Sequence, residues 1–255
     1  MRRRRPFVLV QLSDPHIGAD WGDGDSVARL AAAVESVRAL EPTPDALLLS
    51  GDVADHGLDD EYEQVRELLA PLDVPLHVFP GNHDVRGTLR RHFEVPGVDS
   101  EPVQYAVDLG PLRLVVLDST RPGEDGGELD APRLTWLEET LAAATQIPTV
   151  VALHHHPFVT GAPAIDDIGL PADERQAFGS VVEAHPQVCR IVAGHVHRTM
   201  SAELGGRAVL TAPSTYVQAR LELGAKEIEL TNDPRGFAVH VLLDGELVSH
   251  VETVR

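Results

Sequence analysis

Five short apolar runs in this chain each end in a turn that carries aspartate, asparagine or histidine. "FVLVQL" at residues 7–12 is followed by "SDPH", and "ALLL" at residues 46–49 is followed by "SGDVAD". Apolar runs of this length, separated by longer amphipathic segments, are typical of buried strands that alternate with helices. The pattern predicts mixed α/β layers in which polar side chains collect where strands end.

The segments between the runs predict helices. We expect Ser26 to cap the helix over "SVARLAAAVESVRAL", and Pro132 to lie in the first turn of the helix over "APRLTWLEETLAAA". The C-terminal stretch alternates in polarity and contains Asp244-Gly245, which predicts an antiparallel hairpin. Because no linker or break in composition divides the chain, we expect a single domain over residues 1–255, with residues 1–6 as a flexible basic tail.

Charge and composition restrict the partners of the chain. Its formal net charge is −19, whereas binding to nucleic acid relies on a basic surface, so we expect no nucleic-acid partner. No apolar run reaches the roughly 18 residues of a membrane span, so we expect no stable membrane insertion. Cys189 is the single cysteine, which rules out a disulfide within one chain and suits a cytoplasmic location.

The polar clusters contain many residues that bind metals. They consist of Asp14 and His16; Asp52; Asn82 and His83; His154, His155 and His156; and His195 and His197. Each cluster alone is compatible with an ordinary turn. If the five preceding strands share one sheet and one direction, however, all the clusters meet at one edge of that sheet, where ligands bind in open α/β folds.

The residue types and their spacing indicate a metal site. Aspartate and histidine suit Mn, Fe, Zn or Co. Asp14 and His16 are two residues apart and face the same side of an extended chain, and His195 and His197 repeat this spacing. In phosphatases, one aspartate often bridges two cations about 3.5–4 Å apart.

The ordered motifs D-x-H, G-D, G-N-H-D, H-H and G-H-x-H resemble those of the calcineurin-like metallophosphoesterase superfamily. Within it, the chain is similar to the bacterial class III cyclic-nucleotide phosphodiesterases and their glycerophosphodiesterase relatives. The resemblance extends from about Phe7 to about Ser214 and includes "APSTYVQ". It implies a four-layer αββα sandwich of two mixed β-sheets flanked by helices, with a dinuclear metal centre between the sheets.

The resemblance also implies two sets of metal ligands that share one aspartate. The first metal would be held by Asp14, His16, Asp52 and His197. The second would be held by Asp52, Asn82, His154 and His195. Two divalent or trivalent ions are expected, with Mn or Fe–Mn favoured, and they would make a bridging hydroxide available near neutral pH.

His83 is the expected catalytic residue, since it would donate a hydrogen bond or a proton to the leaving oxygen. Asp84 would either orient His83 or cap a helix. His155 is expected to support the metal ligands or to contact substrate, whereas His156 is expected to have no direct role.

Three other residues near the motifs are expected to lie in solvent. We expect His56 to be exposed. Arg86 and Arg90 are expected on a solvated helix face, with contact to a phosphate or a nucleobase as the alternative.

The expected activity is hydrolysis of a small phosphodiester, first of all the cyclic nucleotide 3′,5′-cAMP. The alternatives of similar chemistry are glycerophosphodiesters, 2′,3′-cyclic nucleotides and nucleotide conjugates. A binding protein without metal is disfavoured by the complete ligand set, and a nuclease is disfavoured by the charge. The resemblance favours a homodimer or a larger oligomer.

Overall fold

The computed structural model describes residues 5–22 and 24–254. Two β-sheets lie face to face, and helices cover the outer face of each. The expected fold class, a four-layer αββα sandwich of mixed sheets, is confirmed. Residues 1–4 of the expected basic tail lie outside the described residues, and Arg5 pairs with Asp45 at 3.3 Å.

The first sheet contains both parallel and antiparallel strands. In spatial order its strands are β13 (Glu246–Thr253), β12 (Gly236–Leu243), β1 (Phe7–Leu12), β2 (Ala46–Ser50) and β3 (Leu76–Phe79). The central strand β1 runs parallel to β2 and antiparallel to β12. The expected turn joins β12 to β13, where Asp244 and Gly245 have φ angles of 52° and 87°, the left-handed values that a tight hairpin requires.

The second sheet is larger. In spatial order its strands are β4 (Tyr105–Asp108), β5 (Arg113–Val116), β6 (Thr149–Ala152), β7 (Val188–Ala193), β9 (Arg207–Thr211) and β8 (Met200–Leu204). The inner four are parallel, and β4 and β8 are antiparallel strands at its two edges. A short ribbon of β10 (Gln218–Ala219) and β11 (Leu230–Thr231) lies outside both sheets.

The strands that precede the polar clusters do not share one sheet. The strands β1, β2 and β3 belong to the first sheet, and β6 and β7 belong to the second. The expectation of a single shared sheet is therefore wrong. Strands buried on both faces read as continuous apolar runs, which carry no signal of which strand pairs with which.

Six α-helices complete the fold among the described residues. They are α1 (Ser26–Arg38), α2 (Asp59–Leu69), α3 (Arg86–His92), α4 (Ala131–Ala142), α5 (Pro163–Asp166) and α6 (Ala172–Ala184). Asp25, rather than the expected Ser26, caps α1, because its carboxylate accepts hydrogen bonds from the backbone N–H groups of Val27 and Ala28 at 2.9 and 3.2 Å. Pro132 lies in the first turn of α4, as expected.

The alternation of side chains along the strands divides the core into layers. Val8 and Val10 of β1 point outward and pack with Leu30 of α1, whereas Leu9 between them points inward and packs with Leu114 of the second sheet. The inner face therefore belongs to the contact between the sheets. Among the described residues, no helix is both long and apolar enough to cross a membrane.

Candidate metal centre

The polar clusters of both sheets meet at one buried site. Three groups of side chains have ligand atoms that all lie within 4.8 Å of one another, and one of them consists of His16, Asp55 and His83. The other two carry the expected ligands: Asp14, His16, Asp52 and His197 in the first, and Asp52, His154 and His195 in the second. Asp52 belongs to both groups. Its Oδ2 lies 3.4 Å from Nε2 of His16 and 3.3 Å from Nε2 of His154, so one carboxylate faces both sets.

Each of the four histidines donates one ring N–H to an oxygen outside the ligand groups. The donors and acceptors are His16 Nδ1 to Asp55 Oδ1 (2.8 Å), His154 Nδ1 to the Ser50 carbonyl (2.9 Å), His197 Nδ1 to the Val217 carbonyl (3.0 Å) and His195 Nε2 to the Ile168 carbonyl (3.1 Å). In its neutral form, which is the form that binds a metal, each ring keeps a lone pair on its other nitrogen. Such second hydrogen bonds fix the tautomer and orientation of metal-binding histidines.

Two buried polar atoms at the site make no hydrogen bond among the described residues. They are Asn82 Oδ1 and His154 Nε2, and the second forms an ion pair with Asp52 Oδ2 at 3.3 Å when it is protonated. Leaving a buried polar atom unpaired costs free energy that a bound cation would offset. Together with the lone pairs of the histidines, these atoms fit two cations that share Asp52.

The backbone at the site is strained. Among the described residues, eight that are not glycine have positive φ angles, and five of them are in the ligand groups: Asp14, His16, Asp52, His195 and His197. This left-handed conformation costs roughly 1–2 kcal/mol for such a residue. Strain of this kind persists where the surrounding structure imposes it, most often at functional sites.

Two glycines allow the loops of the site to approach one another. A Cβ on Gly81 would lie 2.2 Å from Asp52 Oδ1 and 2.6 Å from His154 Cε1. Gly51 has a φ of +86°, and a Cβ there would lie 2.2 Å from His154 Nδ1. A larger residue at either position would displace the ligands.

The site attracts positive charge. Burial would raise the pKa of Asp52, but the neighbouring His154 and His16 lower it well below its usual value. Burial would lower the pKa of His154, but Asp52 and Asp14 raise it to about 9. Burial raises the pKa of Asp14 to about 6. In the absence of a cation, a proton on His154 therefore compensates the buried carboxylates.

His195 and His197, the two ligand histidines that follow β7, are neutral. Burial lowers the pKa of His197 to about 3 and that of His195 well below its usual value, and nearby histidines reinforce both shifts. Neutral imidazole is the form that binds metals.

Asp55, which sequence reasoning missed, holds two histidines of the site. Its Oδ1 accepts from Nδ1 of His16, and its backbone carbonyl lies 3.0 Å from Nδ1 of His83. Burial would lower the pKa of His83, but the hydrogen bond to Asp55 and the charge of Asp52 raise it to about 10. Trp21 Nε1 donates to both carboxylate oxygens of Asp55 at 3.0 Å. The spacing "GDVAD" is the only signal that could have indicated Asp55.

Asp84 stabilises the loops of the site and makes no hydrogen bond to the ring of His83 among the described residues. Its carboxylate accepts from the backbone N–H groups of Val53, Ala54 and Gly81 and from the Tyr62 hydroxyl. Val85, not Asp84, is the cap residue of α3. Asp84 thus fixes the turns that carry Asp52 and Asn82, because a short carboxylate at this position satisfies several backbone donors at once.

His155 lies behind the ligands. Its Nδ1 is 2.9 Å from Ser119 Oγ, its Nε2 is 3.2 Å from the Asp125 carbonyl, and its ring centre is 4.5 Å from that of His195. This fully buried ring therefore supports the second group of ligands and does not line the cavity. His156 is also fully buried, and its ring packs against Phe158.

Of the three residues expected in solvent, His56, Arg86 and Arg90, one is exposed. His56 is exposed, as expected. Arg86 is instead buried and bonded to Asp118 at 2.8 Å and to Thr120, because α3 packs against the loop after β5. Arg90 is half-buried and donates to backbone carbonyls of the loop that follows α3. Neither arginine lies on a solvated helix face.

The ligand groups open into a cavity of about 280 Å³. Asn82 and His83 lie in its wall beside the ligands, and its outer part is mostly apolar. The apolar lining consists of Trp21, Ile168, Val196, Ala219, Ile228 and Leu230.

Comparisons with known proteins agree with this geometry. Residues 7–199, well over half of the chain, match the family model described as calcineurin-like phosphoesterase. The chain belongs to this family. Calcineurin-like phosphoesterases are metal-dependent, and the shared Asp52 and its two groups of ligands fit a dinuclear centre.

Two curated members of the family illustrate its range. The chain is 36% identical over 215 residues to the 3′,5′-cyclic adenosine monophosphate phosphodiesterase CpdA of Pseudomonas aeruginosa, covering 83% of this chain and 77% of the relative. It is 30% identical over 241 residues to a probable glycerophosphodiester phosphodiesterase of Arcobacter nitrofigilis, covering 92% and 88%. Among solved structures, a dimetal phosphatase from Danio rerio shares the fold, with a TM-score of 0.72, 20% identity and coverage of 98% and 100%.

Proposed function

We propose that the protein is a metal-dependent phosphodiesterase that hydrolyses a cyclic nucleotide, with 3′,5′-cAMP as the first candidate. The observation that carries the proposal is the pair of buried ligand groups that share Asp52, next to a cavity whose wall contains His83. Similarity to the cAMP phosphodiesterase of Pseudomonas aeruginosa supports the choice of substrate.

The residues present would hold two cations. Asp14, His16, Asp52 and His197 would hold the first, and Asp52, Asn82, His154 and His195 would hold the second. When bound, such cations lower the pKa of water and neutralise charge on a phosphate group. Mn or Fe–Mn is the proposed metal content, because this set of carboxylate, imidazole and amide ligands suits these ions.

His83 would act as the general acid. Asp55 occupies its Nδ1, which leaves Nε2 to face a substrate in the cavity. A protonated Nε2 donates its proton to the leaving oxygen as the ester bond breaks. Nearby cations would lower the pKa of His83 from about 10 toward the neutral range, where such an acid is most effective.

The cavity favours a diester that carries a flat apolar group. None of the described residues that line it is a lysine or an arginine, and Asp125 adds a carboxylate to the wall. This charge pattern suits the single negative charge of a diester better than the roughly two charges of a monoester near neutral pH. The indole of Trp21 and the side chains of Ile228 and Leu230 provide apolar surface for a nucleobase.

A second candidate substrate is a glycerophosphodiester, because the relative from Arcobacter nitrofigilis covers more of this chain. The test is the kcat/KM, in Mn²⁺, for 3′,5′-cAMP, 2′,3′-cAMP, glycerophosphocholine, bis-p-nitrophenyl phosphate and p-nitrophenyl phosphate. We expect diesters to exceed the monoester and cAMP to be hydrolysed. If the kcat/KM for p-nitrophenyl phosphate exceeds that for every diester by tenfold or more, the protein is a phosphatase and not a phosphodiesterase. Cleavage of glycerophosphocholine without cleavage of cAMP would select the second candidate.

We also propose a single domain, a cytoplasmic location and a homodimer or larger oligomer. The chain would act as a single domain, since β12 and β13 near its C-terminus complete the sheet that contains β1. The single cysteine supports a cytoplasmic location, and the acidic charge disfavours nucleic acid. Leu221, Leu223 and Val248 expose apolar side chains, which supports a homodimer or a larger oligomer.

A further inference from the structure

His240 of β12 is fully buried, although it takes no part in the proposed reaction. Its Nδ1 lies 2.8 Å from Ser249 Oγ on β13, and its Nε2 lies 3.1 Å from Gln11 Oε1 on β1. A buried histidine is tolerated when both nitrogens are hydrogen bonded. The two hydrogen bonds of His240 belong to a longer series of hydrogen bonds.

The hydrogen bonds continue from Gln11 to the metal centre. Gln11 Nε2 lies 2.8 Å from Ser50 Oγ, and Ser50 Oγ lies 2.7 Å from Ser13 Oγ. Ser13 Oγ is in turn hydrogen bonded to Asp14 Oδ2. Gln11, Ser50, Ser13 and Asp14 are all fully buried. We call the side chains of Ser249, His240, Gln11, Ser50 and Ser13 the inter-sheet network.

The donors and acceptors among Ser249, His240 and Gln11 follow from the Ala193 carbonyl, which can accept a hydrogen bond but cannot donate one. Gln11 Nε2 lies 3.0 Å from the carbonyl oxygen of Ala193, so the amide nitrogen must point there and Oε1 must face His240. Nε2 of His240 therefore carries the proton and donates it. Since the buried ring is neutral, its Nδ1 accepts from the Ser249 hydroxyl.

The direction at the inner end follows from Asp14. An ionised carboxylate only accepts, so Ser13 donates to it. Ser50 Oγ lies 2.7 Å from Ser13 Oγ and 3.2 Å from the Leu12 carbonyl, so the shorter contact assigns its proton to Ser13, and Ser50 accepts from Gln11. Every bond in the inter-sheet network thus points toward Asp14, and aligned hydrogen bonds strengthen one another.

We propose that the inter-sheet network positions the Asp14 carboxylate and so raises the affinity of the first cation site. Ser13, Ser50, Gln11 and His240 are then positioning residues. Among their side chains, that of Ser13 is hydrogen bonded to a ligand, and the backbone carbonyl of Ser50 accepts from His154. The inference rests on the proposed function, because it requires that Asp14 binds a cation. It assigns a role to a row of buried polar side chains on the first sheet, where Gln11 also contacts Ala193 of the second sheet.

The test is titration of the metal-free protein with Mn²⁺ by isothermal titration calorimetry. Ser13→Ala removes the donor to Asp14 and should weaken one of the two binding steps about 10- to 100-fold, as loss of a partner of a metal ligand usually does. His240→Leu interrupts the inter-sheet network far from the ligand and should weaken the same step by about threefold or more. The matched control is His77→Leu, a half-buried histidine on β3 outside the inter-sheet network, which should bind Mn²⁺ normally.

The double variant separates a network from two independent effects. Because His240 would act through Ser13, the combined variant Ser13→Ala/His240→Leu should lose no more affinity than Ser13→Ala alone. If the two substitutions acted independently, their fold losses of Mn²⁺ affinity would multiply instead. Ser249→Ala, at the half-exposed outer end, gives a milder interruption in case His240→Leu does not fold.

The outcomes distinguish the inference from the proposed function. Wild-type protein that does not bind two Mn²⁺ ions would overturn the proposed function. Normal binding by the wild type, with unchanged affinity in every folded variant of His240 and Ser249, would overturn the inter-sheet network alone. Multiplicative losses in the double variant would also overturn it.

Discussion

Nε2 of His16 and Nε2 of His197 lie 3.0 Å apart in the wall of the cavity. Each ring donates its Nδ1 proton to another acceptor, so lone pairs on the two Nε2 atoms would point at the same place. A cation placed between them can accept both lone pairs, whereas a proton can serve only one at a time. The geometry of this pair therefore favours metal binding.

Metal binding should release protons. In the cation-free protein the pKa of His154 is about 9, so near neutral pH its Nε2 must lose a proton before it can bind a cation. We expect the affinity for Mn²⁺ to rise from pH 6 to pH 9, and to fall more steeply below pH 6, where Asp14 with its pKa of about 6 is also protonated. Calorimetry in two buffers of different ionisation enthalpy measures the release, expected to be about one proton from His154 and part of a second from His83, whose pKa the cations would also lower. Affinity that does not change over this range would contradict the prediction.

His83→Ala should separate catalysis from metal binding. We expect nearly normal Mn²⁺ content and a kcat lowered by roughly 10²–10⁴, the usual share of a general acid. Substrates with good leaving groups, such as bis-p-nitrophenyl phosphate, need little protonation and should lose less activity than cAMP. Equal losses for both substrates would mean that His83 only positions the phosphate.

Asp55→Asn should change the pH profile of kcat. The Asp55 carboxylate helps to raise the pKa of His83, and a general acid is active only below its pKa. Removing that charge lowers the pKa of His83, so the alkaline limb of the kcat profile should shift to lower pH. Asp125→Asn, which alters another carboxylate in the wall of the cavity, is the control and should leave the alkaline limb closer to that of the wild type.

Gly81→Ala should disturb the site through a single methyl group. The added Cβ would meet Asp52 and His154 at less than 3.0 Å, so we expect weaker Mn²⁺ binding and lower activity. The control is Gly87→Ala on α3, where the nearest atom is 3.8 Å away. Normal Mn²⁺ affinity in Gly81→Ala would show that the loops tolerate wider separation.

The sequence predicts the metal centre better than it predicts the residues that hold it in place. Each polar cluster directly follows a strand, so the strand assignment alone places the cluster at a strand end, although it does not show that the strands belong to two sheets. Asp55 lies three residues after Asp52 and resembles an ordinary turn residue. Only the fold brings its carboxylate beside the ring of His16.

Long-range pairing explains the other differences. Arg86 lies next to a polar motif and was expected in solvent, but Asp118, 32 residues away, binds it in the interior. The division of the strands between two sheets likewise depends on pairings that apolar runs do not encode. Gln11 and His240 are 229 residues apart, so their contact had no local signal.

The most direct test of the account is the number of Mn²⁺ ions bound per chain, measured by elemental analysis together with hydrolysis of bis-p-nitrophenyl phosphate. The wild type should bind two ions. Asp52→Asn keeps the size of the shared ligand but loses its charge, so it should bind fewer than two ions and lose activity by about a hundredfold or more. Asp59→Asn, an exposed aspartate on α2, should bind two ions and retain its activity. An Asp52→Asn protein with two bound ions and wild-type turnover would contradict the account.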